Sequence, residues 1–379
     1  MKYNFDEEFD RSKTYTRKWD RLEKGVIPMN IADLDYRVCP NIQKELEKVA
    51  KSSDYSYTYV RDEYYNALIN WHKKRLGVDI KKEDIKLVFG TCSVLHYIVQ
   101  CFAKEHSNIL INTPCYEPFV LAVRRNNCTV IANELIEKDN KYYIDFKKLE
   151  EDIVKYKVKI YILCNPQNPS GRIWTREELQ KIVDLCEKYK VLLVSDEVHR
   201  DILRKNESFV SILNLTNNAI VCCSPNKTFN LGGLKGSYII IQNKDIRDKM
   251  LKYLEKVYVT SPHVFMQAAH ITAYTECDEW VKELNEYIDK NFEYFESFMK
   301  NNLPNIQVMK AQAGFLAWIN MKKLFKSEEE MKKYFDKIKV LPVYGTYFSE
   351  KSDSGWVRLN LGCTMKTLKT VLNRMLLYR

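Results

Sequence analysis

The run that decides the fold reads Ala219-Ile-Val-Cys-Cys-Ser-Pro-Asn-Lys227, which is a short apolar stretch followed by a turn and a lysine. Two similar units precede it: Val191-Leu-Leu-Val-Ser-Asp196, and the apolar run 159–164 with a loop that contains Asn168. Short continuous apolar runs are typical of strands covered on both faces, as in a mostly parallel sheet. Ligands bind at the carboxyl ends of such strands. The sequence therefore predicts that Asn168, Asp196 and Lys227 lie along one edge of a sheet.

Seven candidate strands alternate with amphipathic helices and predict an α/β fold with a large, doubly wound, mostly parallel seven-stranded sheet domain. After about residue 245, long charged helical stretches and short strands near 314–320 and 357–361 predict a smaller α+β domain. We place the large domain at 43–280 and build the small one from 1–42 and 281–379. The seven candidate strands are 85–89, 109–112, 129–132, 159–164, 191–195, 219–223 and 238–242.

The composition of the 379 residues is that of an ordinary globular protein, with 45% apolar and 29% charged residues. The net charge of +10 is spread along the chain, so we expect no nucleic-acid partner. No apolar leader and no long apolar run is present, which predicts a cytoplasmic protein without a membrane span. The 11 cysteines lack CxxC spacing, which predicts reduced thiols. The sequence has no clustered metal-ligand spacing, so we expect no metal site.

The three strand-end residues suit a pyridine ring that carries an aldehyde. Lys227 supplies an amine for a covalent bond to the aldehyde carbon, provided that burial or nearby cations keep it neutral. Asp196 suits a protonated ring nitrogen, and Asn168 suits the 3-oxygen of the ring, to which His199 is a further candidate contact. The predicted cofactor is pyridoxal 5'-phosphate (PLP).

Other residues are candidates for the phosphate and for the substrate. The helix start in Gly90-Thr91-Cys92-Ser93 offers free N–H groups to a phosphate, and Ser224 and Lys235 are candidates to complete that site. Tyr116 suits stacking on the pyridine face. Arg358, within an apolar run, suits a clamp on a substrate carboxylate. Each of these residues alone also fits a structural role, as a helix cap, core aromatic or ion pair, so the prediction rests on their joint order.

In that order the chain resembles fold-type I PLP enzymes of the class I/II aminotransferase group. It looks most like the MalY/PatB branch of cystathionine β-lyases, or C–S lyases. The resemblance spans nearly the whole chain, and the stretches that carry it are Ile31-Ala-Asp-Leu-Asp-Tyr36, Cys164-Asn-Pro-Gln-Asn-Pro169, Ser195-Asp-Glu-Val-His199, Asn226-Lys-Thr-Phe-Asn230 and Arg358-Leu-Asn-Leu-Gly362.

The resemblance implies a homodimer in which Tyr57 reaches the cofactor phosphate of the neighbouring subunit. It implies that Ala32 and Asp33, with Asn168 and Arg358, lie near a small amino-acid substrate. The implied reaction is β-elimination: Lys227 removes the Cα proton, a thiolate leaves Cβ, and pyruvate and ammonia follow.

Two other functions use the same residues. An aminotransferase needs the same lysine, aspartate, asparagine and arginine and differs only in where the proton goes next. A regulatory binding protein on the same fold is a third possibility, which the presence of Lys227 and Asp196 disfavours. The kinase-like tripeptide His199-Arg200-Asp201 is not accompanied by a glycine-rich nucleotide loop or a DFG motif, which argues against a kinase.

Overall fold

The computed structural model describes residues 2–259, 261–349 and 355–377. In these ranges it contains α-helices and β-strands in an alternating order. The helices are α1 (Pro40–Ser52), α2 (Asp62–Leu76), α3 (Thr91–Phe102), α4 (Glu117–Arg124), α5 (Phe146–Lys155), α6 (Arg176–Tyr189), α7 (Lys244–Lys256), α8 (Val264–Glu276), α9 (Asp278–Asn302), α10 (Glu328–Lys337) and α11 (Met365–Leu377). The strands are β1 (Ile27–Pro28), β2 (Ile85–Phe89), β3 (Asn108–Thr113), β4 (Thr129–Glu134), β5 (Ile136–Lys138), β6 (Lys141–Tyr143), β7 (Ile160–Cys164), β8 (Leu192–Asp196), β9 (Ala219–Cys223), β10 (Gly236–Ile240), β11 (Gln307–Val308), β12 (Leu316–Asn320), β13 (Val340–Leu341), β14 (Val343–Tyr344) and β15 (Trp356–Asn360).

The large sheet has seven strands in the order β2-β10-β9-β8-β7-β3-β4. All seven are the strands predicted from the sequence, and two of them, β2 and β9, have the predicted bounds. Strand β10 runs antiparallel to both of its neighbours, whereas the others are parallel to one another. The predicted strand 238–242 therefore starts two residues too late, because the polar pair Gly236-Ser237 pairs with β2 although its composition reads as a turn.

The two faces of this sheet are covered by different helices, so the domain is doubly wound. Alternate strand residues such as Ile109, Ile111 and Cys222 pack with α3, α4 and α7 on one face. Their neighbours Leu110 and Cys223 pack with α2, α5, α6 and α8 on the other. The adjacent cysteines thus point to opposite faces, as period-2 alternation requires.

Local sequence signals place several helix ends. The Thr175 hydroxyl oxygen accepts a hydrogen bond from the Glu178 N–H, and the Glu178 carboxylate accepts one from the Thr175 N–H. This pair is a capping box that opens α6. Asn243 caps α7 in a similar way by accepting from the Ile246 N–H. Because of this cap α7 begins at Lys244. One of the charged helical stretches predicted after about residue 245 was 249–256, so the helix starts five residues earlier than predicted.

A second sheet follows in the order β11-β12-β15-β14, with antiparallel pairing. Separately, β1 near the start of the chain pairs in parallel with β13. The two ends of the chain therefore meet, although the domain boundaries at 42/43 and 280/281 stay a prediction. No helix within the described ranges has both the length and the apolar composition needed to cross a membrane.

Candidate active site

Three neighbouring parallel strands bring the predicted residues to one edge of the large sheet. In the register of β7, β8 and β9, Cys164 lies opposite Asp196, and Asp196 lies opposite Cys222. Asp196 is the last residue of β8, while Asn168 and Lys227 lie in the loops that follow β7 and β9. Lysine 227 is in a turn beyond the strand and not on it, which gives its side chain freedom to reach across the edge.

The Lys227 amine is directed at the N-terminal segment. Its Nζ donates a hydrogen bond to the Ala32 carbonyl oxygen at 2.7 Å. Burial lowers the pKa of Lys227, and the nearby Arg358 charge lowers it further, while Asp33 and Asp196 oppose the shift. The neutral, nucleophilic amine is therefore more accessible than in a surface lysine.

Asp196 is a buried carboxylate that lacks a close cationic partner among the described residues. One oxygen accepts from the Val198 N–H at 3.2 Å. Burial raises the pKa of Asp196 to about 7, and Lys227 and the Val198 N–H only partly offset this rise. A buried carboxylate of this kind is stabilised when a cationic N–H group is placed next to it.

His199 adds an unused polar atom to the same edge. Its Nδ1 is buried and has no hydrogen-bond partner within the described part of the chain. Burial, together with the charges of Lys227 and Arg358, lowers the pKa of His199 to about 3, so the ring is neutral near pH 7. The ring makes an edge-to-face contact with Phe315, at 6.1 Å between ring centroids.

The helix start after β2 forms a cradle for an anion. Gly90 has a φ of +84°, which turns the chain into α3, and a Cβ on Gly90 would come within 4.0 Å of the Lys235 carbonyl oxygen. Thr91 Oγ1 lies 3.3 Å from Ser237 Oγ. The first N–H groups of a helix have no intrahelical acceptor. The cradle thus combines helix N–H groups, hydroxyls and the exposed Lys235 side chain.

Three further residues predicted for the cofactor lie around this cradle. The Ser224 hydroxyl already donates a hydrogen bond to the Gly236 carbonyl oxygen at 2.8 Å. To donate to a bound phosphate, the hydroxyl would have to rotate and give up this bond. Tyr116 precedes α4, with its hydroxyl 4.0 Å from the Cys92 sulfur, and burial raises the pKa of Tyr116. The Tyr116 ring therefore borders the cradle.

Arg358 organises the opposite side of the site. It projects from β15, and its two terminal nitrogens donate to Asn168 Oδ1 at 3.0 Å and to the Asn30 carbonyl at 2.7 Å. Its Nε is buried without a partner in the described residues, and its guanidinium carbon lies 5.0 Å from the Phe348 ring centroid. Burial lowers the pKa of Arg358 to about 10, so it stays cationic at neutral pH.

The segment 30–33 is held by a residue to which the sequence did not assign a role. The Asn360 side chain donates to the Ile31 carbonyl at 2.6 Å and to the Asp33 carbonyl at 2.7 Å. Its oxygen accepts from the Gly362 N–H at 2.7 Å. A fully buried asparagine in a strand was the available signal, because such a side chain needs partners. Phe348, which faces Arg358, carried no comparable signal.

Tyr57 is not part of this cluster. Its side chain is fully exposed, between Ser56, which hydrogen-bonds to Asp54, and Thr58, which hydrogen-bonds to the Pro262 carbonyl. The other twelve residues predicted for the cofactor and the substrate lie at or around this edge of the sheet. Tyr57 is the exception, and the suggestion that it serves a neighbouring subunit stays a prediction.

The donor and acceptor set fits PLP. Asp196, with its raised pKa, suits a protonated ring nitrogen as a counter-charge, and His199 Nδ1 is buried without a partner within the described residues. Lys227 has a lowered pKa, and the cradle at Gly90 and Thr91 is built for a phosphate. A ring, an aldehyde and a phosphate therefore each find a matching group.

The chain matches the family model described as aminotransferase class I and II over residues 24–375. It is 34% identical over 381 residues to cystathionine beta-lyase PatB of Bacillus subtilis (strain 168), with 98% of each chain covered. Its structure is similar to that of cystalysin from Treponema denticola, which contains pyridoxal 5'-phosphate, with a TM-score of 0.95, 29% identity, and 100% of this chain and 99% of that chain covered.

A PLP-bound C–S lyase from Staphylococcus hominis gives a TM-score of 0.93 at 28% identity, with 99% of this chain and 98% of that chain covered. These similarities confirm the fold class and the family resemblance predicted from the sequence. The chain belongs to the class I and II aminotransferase family, within which it is similar to the cystathionine β-lyase branch.

Proposed function

We propose that this chain is a PLP-dependent carbon–sulfur lyase of the cystathionine β-lyase type. It acts by β-elimination on a sulfur-containing amino acid and, with the uptake of one water molecule, yields a thiol, pyruvate and ammonia. The observation that carries the proposal is the meeting, at one sheet edge, of a lysine of lowered pKa, a buried aspartate of raised pKa and an arginine clamp. The proteins to which this chain is similar include a cystathionine beta-lyase and a PLP-bound C–S lyase.

Bound PLP supplies an aldehyde for covalent capture of the substrate amine and an aromatic ring that draws electrons from Cα. Asp196 would keep a proton on the ring nitrogen by matching its charge. Asn168 and His199 would contact the 3-oxygen, and Tyr116 would stack on the ring. Thr91, Cys92, Ser224 and Lys235 would hold the phosphate.

Lys227 moves the proton that starts the reaction. Its free Nζ would take the proton from Cα of the substrate. Its lowered pKa suits this role, because a neutral amine accepts a proton and an ammonium does not. The thiolate would then leave from Cβ, and the ammonium of Lys227 would be able to return a proton to the departing sulfur.

Arg358 binds the substrate carboxylate. Its Nε is buried and unpartnered within the described residues, and Asn168 holds one of its terminal nitrogens. A carboxylate that accepts from the guanidinium gains two charge-assisted hydrogen bonds in fixed geometry. Ala32 and Asp33 line the path by which the side chain of the substrate enters, since the Ala32 carbonyl touches Lys227.

We further propose a cytoplasmic homodimer in which Tyr57 completes the phosphate site of the partner subunit. The support is the full exposure of the Tyr57 ring, which lies apart from the cluster of its own chain. The large domain spans 43–280, and the small domain combines 1–42 with 281–379. The pairing of β1 with β13 supports this division.

An aminotransferase is the second candidate, because the family model that matches the chain is named for that activity. Two incubations separate the two reactions. Enzyme with cystathionine is assayed for pyruvate and free thiol; enzyme with an amino acid and a 2-oxo acid is assayed for amino-group exchange. We expect pyruvate and thiol in equal amounts in the first and little exchange in the second. Exchange without thiol release would make the chain an aminotransferase.

A further inference from the structure

Two cysteines outside the active site form a buried pair. Cys39 immediately precedes α1, and Cys277 lies between α8 and α9. Both side chains are fully buried in the same core cluster, and each thiol shifts the pKa of the other. The adjacent Cys222 and Cys223 point to opposite faces of the sheet, so sequence proximity alone does not make a pair.

Helix packing sets the position of the pair. Helix α1 packs along α8, so the start of α1 meets the end of α8. Next to the cysteines, the Asn41 side-chain amide donates to Glu276 Oε2 at 2.8 Å. The two sulfurs are therefore held together by the same contact that aligns the helices, and not by one adjustable side chain.

The two thiols are electrostatically unequal. The interaction with the Cys277 thiol lowers the pKa of Cys39 against the opposing effect of burial, and the backbone N–H groups of Asn41 and Ile42 lower it further. The same interaction, together with burial, raises the pKa of Cys277. A thiolate is the nucleophile in thiol–disulfide exchange, so Cys39 is suited to attack first and Cys277 to follow.

A thin cover separates the pair from solvent. Burial raises the pKa of the Tyr3 hydroxyl, and the two cysteines raise it further. The cover is fastened by Glu283, whose two carboxylate oxygens accept from the Lys2 N–H at 2.7 Å and from the Tyr3 N–H at 2.9 Å. Chain ends open more readily than the core, so brief release of these residues gives a small reagent access.

We propose that Cys39 and Cys277 are a reversible disulfide site that reacts with small-molecule disulfides such as oxidised glutathione once the Lys2–Tyr3 cover opens. The Cys39 thiolate attacks one sulfur of oxidised glutathione and releases the first glutathione thiolate. Cys277 then attacks the Cys39 sulfur of the mixed disulfide and releases the second. The two thiol protons end on the two released glutathiones, so one disulfide is reduced as one is formed.

The bond would tie together two places that are far apart in sequence. Cys39 follows the segment 27–36, whose Ala32 carbonyl contacts Lys227, and Cys277 begins the long helix α9. Both cysteines lie within a few residues of the predicted domain boundaries at 42/43 and 280/281. The disulfide therefore restrains the joint next to the site-lining segment, independently of which reaction the site performs.

The test uses the purified protein with its cofactor, incubated across a range of ratios of oxidised to reduced glutathione. After acid quenching, alkylation and digestion, mass spectrometry should find one peptide pair linked through Cys39 and Cys277, and dithiothreitol should reverse it. The thermal midpoint should rise by several degrees on oxidation, because a cross-link over a long loop restricts the unfolded chain. Cys39→Ser and Cys277→Ser should abolish both effects.

The matched control is Cys186→Ser, since Cys186 is also buried and burial raises the pKa of its thiol to about 12. This variant should form the linkage and show the rise as the unaltered protein does. Glu283→Gln loosens the cover and should speed linkage severalfold. The proposal is overturned if Cys39 and Cys277 are recovered alkylated at every glutathione ratio, or if the rise in thermal midpoint persists in Cys39→Ser. An unchanged rate in Glu283→Gln would overturn the role of the cover.

Discussion

The two halves of the active site are built in different ways. The cofactor half stands on consecutive strand ends of one sheet, where Asp196 and the loops after β7 and β9 are aligned by parallel register. The substrate half joins Asn30, Asn168 and Arg358 through side-chain hydrogen bonds across most of the chain length. Backbone register is cooperative, whereas single hydrogen bonds are individually replaceable. Substitutions in the first half should therefore damage chemistry, and those in the second should damage binding or local order.

The largest expected effect is that of Lys227→Ala on turnover. Loss of the amine removes the group that accepts the Cα proton, and a general base contributes about 10²–10⁴-fold. We expect pyruvate formation from cystathionine to fall by about 10⁴-fold, with borohydride no longer fixing the cofactor to the chain. The exposed Lys252→Ala should keep both properties. Full activity in Lys227→Ala would refute the assignment of this lysine.

Asp196→Asn should have opposite effects on activity and on stability. Loss of the counter-charge should lower kcat by roughly 10²–10³-fold, as for other fixed electrostatic groups. In the apoprotein, burial raises the pKa of Asp196 to about 7 from 3.8. Between these values the native state holds a proton that the unfolded chain lacks, so the stability contributed by this group is lost as the pH rises through 7.

The asparagine variant carries no such charge. Its apoprotein should be more stable than the unaltered apoprotein at pH 8, by up to roughly 4 kcal/mol at 1.4 kcal/mol per pKa unit, and the difference should disappear below about pH 4. Urea unfolding at both pH values measures this. Equal stability at pH 8 would mean that the carboxylate is not strained in the empty site.

Arg358→Leu should act on binding. Hydrogen bonds to charged groups contribute about 1.5–3 kcal/mol each, so kcat/KM should fall roughly 10²-fold, mainly through KM. Arg358 also lowers the pKa of Lys227, so this pKa should rise and the rate of cofactor uptake by the apoprotein near neutral pH should drop. Arg37→Leu, at an exposed ion pair with Glu7, is the control. A fall in kcat with KM unchanged would move Arg358 to the chemical half of the site.

The smallest effect is expected for Asn360→Ala, which positions residues 31–33. The variant loses three hydrogen bonds, to the Ile31 and Asp33 carbonyls and from the Gly362 N–H. At about 0.5–1.5 kcal/mol each, the free energy of unfolding should fall by roughly 1.5–4.5 kcal/mol. KM should rise modestly, and Asn301→Ala on the surface of α9 should change neither. Unaltered stability would show that the segment 30–33 is held by other contacts.

The strand ends and the helix start of the cofactor half could be read from the sequence, because the apolar runs before Asp196 and Lys227 and the turn at Gly90 are local signals. The roles of these residues toward the cofactor stay a prediction. The substrate half was only partly readable. Arg358 stood out as a charge in an apolar strand, but its contacts with Asn30 and Phe348 depend on the packing of distant segments. The hydrogen bond of Ser224 could not be predicted for the same reason, since the carbonyl that accepts it belongs to another strand, β10.

The large sequence separation of the contacts in the substrate half also affects the order in which the site forms during synthesis. The hydrogen bond from Arg358 to the Asn30 carbonyl joins residues near opposite termini, and N-terminal parts fold first as a chain emerges. A nascent polypeptide thus acquires its vitamin-binding edge before its carboxylate clamp. Chains that end before β15 lack Arg358 and with it this tie between the two termini.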